Sequence, residues 1–138
     1  MMVLVDTPVW SLALRRVPEK LGSQEQLLKM TLAELIREGR TQIIGPIRQE
    51  LLSGIRVEQK FHKLRDYLRS FDEPGIERED YEEAALMNNR CRGRGIAGSS
   101  VDFLICAVAH RRHWQVLTTD LDFTRFRKVI PLSLFSVV

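Results

Sequence analysis

Met2-Val3-Leu4-Val5-Asp6-Thr7-Pro8-Val9-Trp10 is an apolar run that ends on a carboxylate and turns at once into a Thr-Pro step. Its apolar residues do not alternate with polar ones, which predicts a strand buried on both faces. Thr7 followed by Pro8 predicts a helix start, because a helix's first turn leaves its N–H groups unused and proline has none to lose. Asp6 is thereby placed at the carboxyl end of a strand. In open parallel sheets that lip is where ligands bind.

The rest of the chain alternates in the same way. Val9, Leu12 and Ala13 predict a short helix ending in Arg15-Arg16, and Pro18 and Gly22 mark a loop. Ser23 is expected to cap the next helix, with Gln26 completing a capping box and Gly39 ending it. Gln42-Ile43-Ile44 predicts a second strand, and Pro46 opens the helix that carries Glu50 and Leu51. Further helices are expected over about 58–71 and 79–92, with a brief edge strand at Ile76 between them. Gly93, Gly95 and Gly98 lead to Ser99-Ser100 and a strongly apolar helix from Val101. Gln115-Val116-Leu117-Thr118 predicts a third buried strand, and Lys128-Val129-Ile130 a last one stopped by Pro131. Strands that alternate with helices need crossover connections. The expected fold is a three-layer α/β/α arrangement around a mostly parallel sheet, as one domain over residues 1–138.

Composition agrees with a globular chain. Of 138 residues, 44% are hydrophobic and 28% charged, and the net charge of +3 permits an anionic partner without requiring one. No apolar run approaches the roughly 20 residues of a spanning helix. No signal-like segment opens the chain, so a cytoplasmic location without membrane association is expected. Cys91 and Cys106 form no CxxC pair, and Cys106 sits in an apolar run that predicts a buried thiol. Trp10 is expected in the core or at a partner interface rather than as a stacking platform for bases.

Carboxylates recur at equivalent addresses. Asp6 and Asp120 each follow an apolar strand, Glu50 lies in the helix after the second strand, and Asp102 lies in the first turn after Ser99-Ser100. Asp122 stands close enough to join them. Each has an ordinary use: Asp6 and Asp120 as helix or turn caps, Asp102 in a capping box with Ser99, Glu50 as a solvated helix residue. Together they converge on one edge of the sheet, where like charges repel and raise one another's pKa. A divalent cation resolves that conflict. Oxygen donors without His or Cys suit Mg²⁺ or Mn²⁺, and such a site fits hydrolysis of a phosphodiester.

Four blocks carry a resemblance: Val3-Leu4-Val5-Asp6-Thr7, Pro46-Ile47-Arg48-Gln49-Glu50-Leu51, Ser100-Val101-Asp102-Phe103-Leu104-Ile105-Cys106-Ala107, and Leu117-Thr118-Thr119-Asp120-Leu121-Asp122-Phe123. In this order they resemble the signature blocks of PIN domains, above all VapC-type ribonuclease toxins of prokaryotic toxin–antitoxin pairs. The resemblance implies metal-dependent endonucleolytic cleavage of RNA, with Asp6, Glu50, Asp102 and Asp120 as catalytic and metal-binding acids. It further implies Asp122 as an auxiliary metal ligand, Thr118 as a supporting hydroxyl, a homodimer, and a small cognate DNA-binding antitoxin.

Arg90, Arg92 and Arg94 border the glycines before Asp102 and are candidates to draw in an RNA backbone. Arg111-Arg112 could serve the same purpose or form a solvated face. His110 and His113 are expected to be ordinary surface residues. A phosphatase of the haloacid dehalogenase type expects a second acid two residues after the first, where this chain has Pro8, and a receiver domain expects paired acids where Asp6 is alone. The remaining rival is a catalytically silent PIN module kept as a protein-binding scaffold.

Overall fold

The computed structural model describes residues 1–15 and 18–137. The opening run forms strand β1 (Val3–Val5), and Asp6 separates it from helix α1 (Thr7–Arg15). The expected helix end at Arg16 lies outside the described residues. Helix α2 (Ser23–Arg37) follows a short turn, then strand β2 (Thr41–Gln42) and helix α3 (Gly45–Leu52). Helices α4 (Glu58–Leu68), α5 (Arg78–Arg92) and α6 (Ser100–Arg111) lead to strand β3 (Gln115–Leu117) and the short helix α7 (Asp122–Phe126).

The strands pair in parallel in the order β2-β1-β3. Register sets Val3 against Thr41 on one side, and Val5 against Leu117 on the other. Every residue of β1 is buried. Because successive side chains point to opposite faces, both faces of the sheet must be covered. Helix α1 packs on α2 and α3, and α3 on α4, while α5 and α6 pair with each other and α6 lies on β1 and β3. The α/β layering is as the sequence predicts. The chain leaves β1 for β2 on one side and later crosses to β3 on the other, so the connections reverse direction at β1. The carboxyl end of β1 is therefore a topological switch point, where a crevice opens.

Packing fixes the elements that hold this edge. Trp10, with no exposed surface, donates its indole N–H to the Val5 carbonyl at 3.1 Å and meets the edge of Phe71. It belongs to the core. Both cysteines are buried and free. Asp80, at 0% exposure, accepts from Arg111 at 2.6 Å and from Arg112 at 2.8 and 3.0 Å, and also takes the Glu77 N–H. Burial alone would push its carboxyl up, but the Arg112 and Arg111 guanidinium groups and the Glu77 N–H hold it well below the usual carboxylate range. The Arg111-Arg112 pair is thus engaged in tying α6 to the first turn of α5, a structural use that neither expected role anticipated.

Some boundaries differ from expectation. Lys128-Val129-Ile130 is a turn continuing from α7, with the Val129 and Ile130 N–H groups bonded to the Phe126 carbonyl at 2.9 Å. Its apolar residues cap the core instead of entering the sheet, and Ile130 is only 2% exposed. The partner of β3's outer edge comes later, at Leu134, which bridges to Val116. Ile76 forms no strand. Helix α2 is capped by Gly22, whose N–H bonds Glu25, one residue before the expected Ser23 and Gln26. Ile43 and Ile44 lie past β2, buried just before α3.

Candidate active site

Asp6 is the first residue beyond β1, and Thr118 the first beyond β3. Since Val5 and Leu117 are paired across the ladder, the next residues meet: the Thr118 hydroxyl donates to Asp6 Oδ2 at 2.7 Å. The same hydroxyl accepts the Asp120 N–H at 3.0 Å. One threonine thereby fixes the acids that follow both neighbouring strands. On the other side, the Thr7 N–H donates to Asp6 Oδ1 at 2.8 Å, and its hydroxyl donates to Glu50 Oε2 at 3.0 Å. Thr7 links the acid of β1 to the acid of α3.

Asp102 arrives by a different route. Ser99 caps α6 and accepts the Asp102 N–H at 3.1 Å, while Asp102 Oδ2 accepts the Ser99 N–H at 3.1 Å. The capping box and the acidic site are one arrangement, because the cap that starts the helix also aims its third residue. Before it, Gly98 lies where a Cβ would come within 2.5 Å of the Phe126 ring and 2.9 Å of Phe103. Only glycine lets the chain approach these rings closely enough to bring Ser99 and Asp102 to the edge.

Asp6, Glu50, Asp102 and Asp120 all line one pocket of about 510 Å³, together with Thr7, Gln49, Ser53 and Ser99. No Lys, Arg or His is among its lining residues. Burial raises the Asp6 carboxyl from an ordinary 3.8 to about 6, against hydrogen bonds from Thr118 and Thr7, and the charges of Asp102 and Glu50 push the same way. Asp102 is also raised, by burial first and then by Asp120 and Asp122, against its bonds with Ser99. The pocket concentrates negative charge, and no cationic side chain among the described residues lines it.

Among the described residues no three Asp, Glu, His or Cys side chains stand close enough to form a ready-made metal cluster. The donor set nonetheless suits a hard divalent cation: all its charged groups are carboxylates, and their mutual repulsion favours a positive ion. Asp102 Oδ1, Asp120 Oδ2 and Glu50 Oε1 make no hydrogen bond among the described residues. Asp122 stands at the rim, where its N–H donates to Asp120 Oδ1 and its carboxylate lies 3.7 Å from Arg125. It does not line the pocket, although its charge reaches Asp102.

Arg90, Arg92 and Arg94 are exposed, and only Arg92 lines a pocket neighbouring the acids. His110 and His113 are exposed. Thr7 is the site residue that sequence reading placed only as a helix start. Its signal, a hydroxyl directly after the strand-end acid, is shared by many helix caps.

A family model of the PIN domain matches residues 3–129. No curated protein matches the chain. Among solved structures, VapBC2 from Rickettsia felis bound to a DNA fragment from its promoter is similar at TM-score 0.75 and 17% identity, covering 98% of each chain. FitAcB from Neisseria gonorrhoeae is similar at TM-score 0.74 and 20% identity, covering 98% of this chain and 97% of that one. A toxin–antitoxin complex from Klebsiella pneumoniae is similar at TM-score 0.70 and 17% identity, covering 96% and 99%.

Proposed function

The chain belongs to the PIN domain family, and from that membership and its acid-lined pocket we propose that it is a metal-dependent endoribonuclease. The observation that carries this reading is the convergence of Asp6, Glu50, Asp102 and Asp120 on one pocket that no Lys, Arg or His among the described residues lines. The whole chain, residues 1–138, acts as a single domain of that fold.

Asp6, Glu50, Asp102 and Asp120 would hold Mg²⁺ or Mn²⁺, with Asp122 contributing from the rim. When bound, the cation supplies Lewis-acid polarisation of a phosphodiester and neutralises developing charge. The chain's own residues do the positioning. Thr118 holds Asp6 and Asp120 in register, Thr7 holds Glu50 against Asp6, and the Ser99 cap holds Asp102. Arg90, Arg92 and Arg94 supply positive charge for the RNA backbone outside the acidic pocket.

In biological terms we assign the chain the role of a VapC-type toxin, acting as a homodimer in the cytoplasm and held by a small DNA-binding antitoxin. Its similarity in fold to chains of toxin–antitoxin complexes supports that assignment. Among the described residues no helix is long and apolar enough to cross a membrane.

Thermal melting with and without the ion tests the metal site. Millimolar Mg²⁺ or Mn²⁺ is expected to raise the melting temperature of the parent and to leave the Asp6→Asn/Asp102→Asn double variant unmoved. An equal response in both proteins, or none in the parent, contradicts the metal site and favours a silent scaffold.

A further inference from the structure

The acidic pocket continues into a second one. Val101 lines both, and where Ser99 lines the first its neighbour Ser100 lines the second. The second pocket, about 380 Å³, lies between α5 and the start of α6. Tyr81, Ala84, Ala85, Asn88 and Arg92 form its α5 wall, recurring at the intervals that share one helical face. Phe103 and Leu104, both nearly buried, form an apolar floor. The alanines leave a trough between the larger Tyr81 and Asn88.

The polar groups around this trough are available. Tyr81 is 56% exposed, a high value for an aromatic residue on a helix that buries its other face. Arg92 makes no ion pair among the described residues, whereas Arg111 and Arg112 are both committed to Asp80. An aromatic ring, an amide and a free guanidinium along an apolar slot match the parts of a nucleotide: a π-face, a hydrogen-bonding base edge and a phosphate. The slot also solves a problem of the acidic pocket, which by itself repels a polyanion.

We propose that this pocket is a nucleotide subsite, taking one unpaired base and its phosphate from an RNA strand that passes over the acids. Tyr81 stacks on the base, the Asn88 amide bonds its edge, and Arg92 holds the phosphate. The substrate at this position is single-stranded, since a base within a duplex has no free face to offer Tyr81. This subsite rests on the nuclease reading, but its residues lie outside the acidic pocket and can be tested apart from it.

Binding of a short single-stranded RNA is measured by fluorescence anisotropy in an Asp6→Asn background, so that cleavage does not intervene. Tyr81→Ala and Arg92→Ala are each expected to weaken binding roughly tenfold, and Tyr81→Phe to keep it. Arg37→Ala on α2 and Arg69→Ala at the end of α4 remove the same charge from exposed positions that do not line the slot, and are expected to change binding by less than about twofold. In the active protein, Tyr81→Ala is expected to raise KM with kcat unchanged and to blur the base preference beside the mapped cut. If the three arginine variants weaken binding equally, or Tyr81→Ala binds and cuts like the parent, the subsite is overturned while cleavage by the parent leaves the nuclease reading intact. If the parent neither binds nor cuts RNA, both fall together.

Discussion

Asp6 carries the sharpest consequence at the level of single residues. In the folded protein its carboxyl holds a proton up to about pH 6, whereas the unfolded chain releases it near 3.8. Between those values the folded state binds the extra proton, so stability falls as pH rises through the window and stays lower above it. The penalty at neutral pH is on the order of 1–3 kcal/mol without metal. Asp6→Asn should therefore melt above the parent at about pH 7 in chelated buffer, and that advantage should vanish by about pH 4. An advantage that persists unchanged into acid would assign the effect to packing instead of charge. Thr118→Val tests the other side of the same contact. It leaves the Asp120 N–H without its acceptor and Asp6 Oδ2 without its donor, and cleavage should drop roughly 10–100-fold with Thr118→Ser restoring most of it. The strand-end acids could be read from sequence because an apolar run marks where a strand stops. The Thr7–Glu50 bond could not, since it joins residues far apart in the chain and only the fold brings them together.

At the level of elements, the start of α6 is the sensitive joint. Gly98→Ala would press a methyl group into the Phe126 and Phe103 rings, and overpacking of that kind costs about 1–3 kcal/mol. Because Ser99 and Asp102 follow directly, cleavage should fall along with the melting temperature. A fully active, less stable variant would show that Asp102's placement does not depend on this joint. The α5–α6 tie works differently. Asp80→Ala takes the buried carboxylate from between Arg111 and Arg112 and leaves them the exposed Glu77, and urea unfolding should show a loss of about 2–3 kcal/mol, below that of a fully dry pair because both arginines are partly solvated. The long helices α2, α5 and α6 were legible here, and so was the Ser99 cap of α6, whereas the α2 cap falls on Gly22 and the α5 cap on Glu77. Short apolar runs were not: Lys128-Val129-Ile130 looks like a strand in sequence, yet its backbone closes onto Phe126 and its side chains cap the core. Asp80, set in a charged stretch, gives no sequence sign of its burial.

At the scale of the molecule, strand order explains why the acids meet. The chain winds from β1 to β2 and back across to β3, so its central strand delivers Asp6 to the switch point while the flanking connections deliver Glu50, Asp102 and Asp120 beside it. Alternation of strands and helices announced that layout, but not which connection would carry the neighbouring slot of Tyr81 and Arg92. Concentrated negative charge at that edge is destabilising by itself, and the proposed cation would offset it. The most direct measurement is incubation of the purified protein with total RNA and Mg²⁺, in parallel with excess chelator, followed by mapping of the cut ends. Discrete cuts that require the ion and disappear in Asp6→Asn and Asp102→Asn are the expected result. Cuts that survive the chelator or either substitution, or RNA left whole throughout, would contradict it.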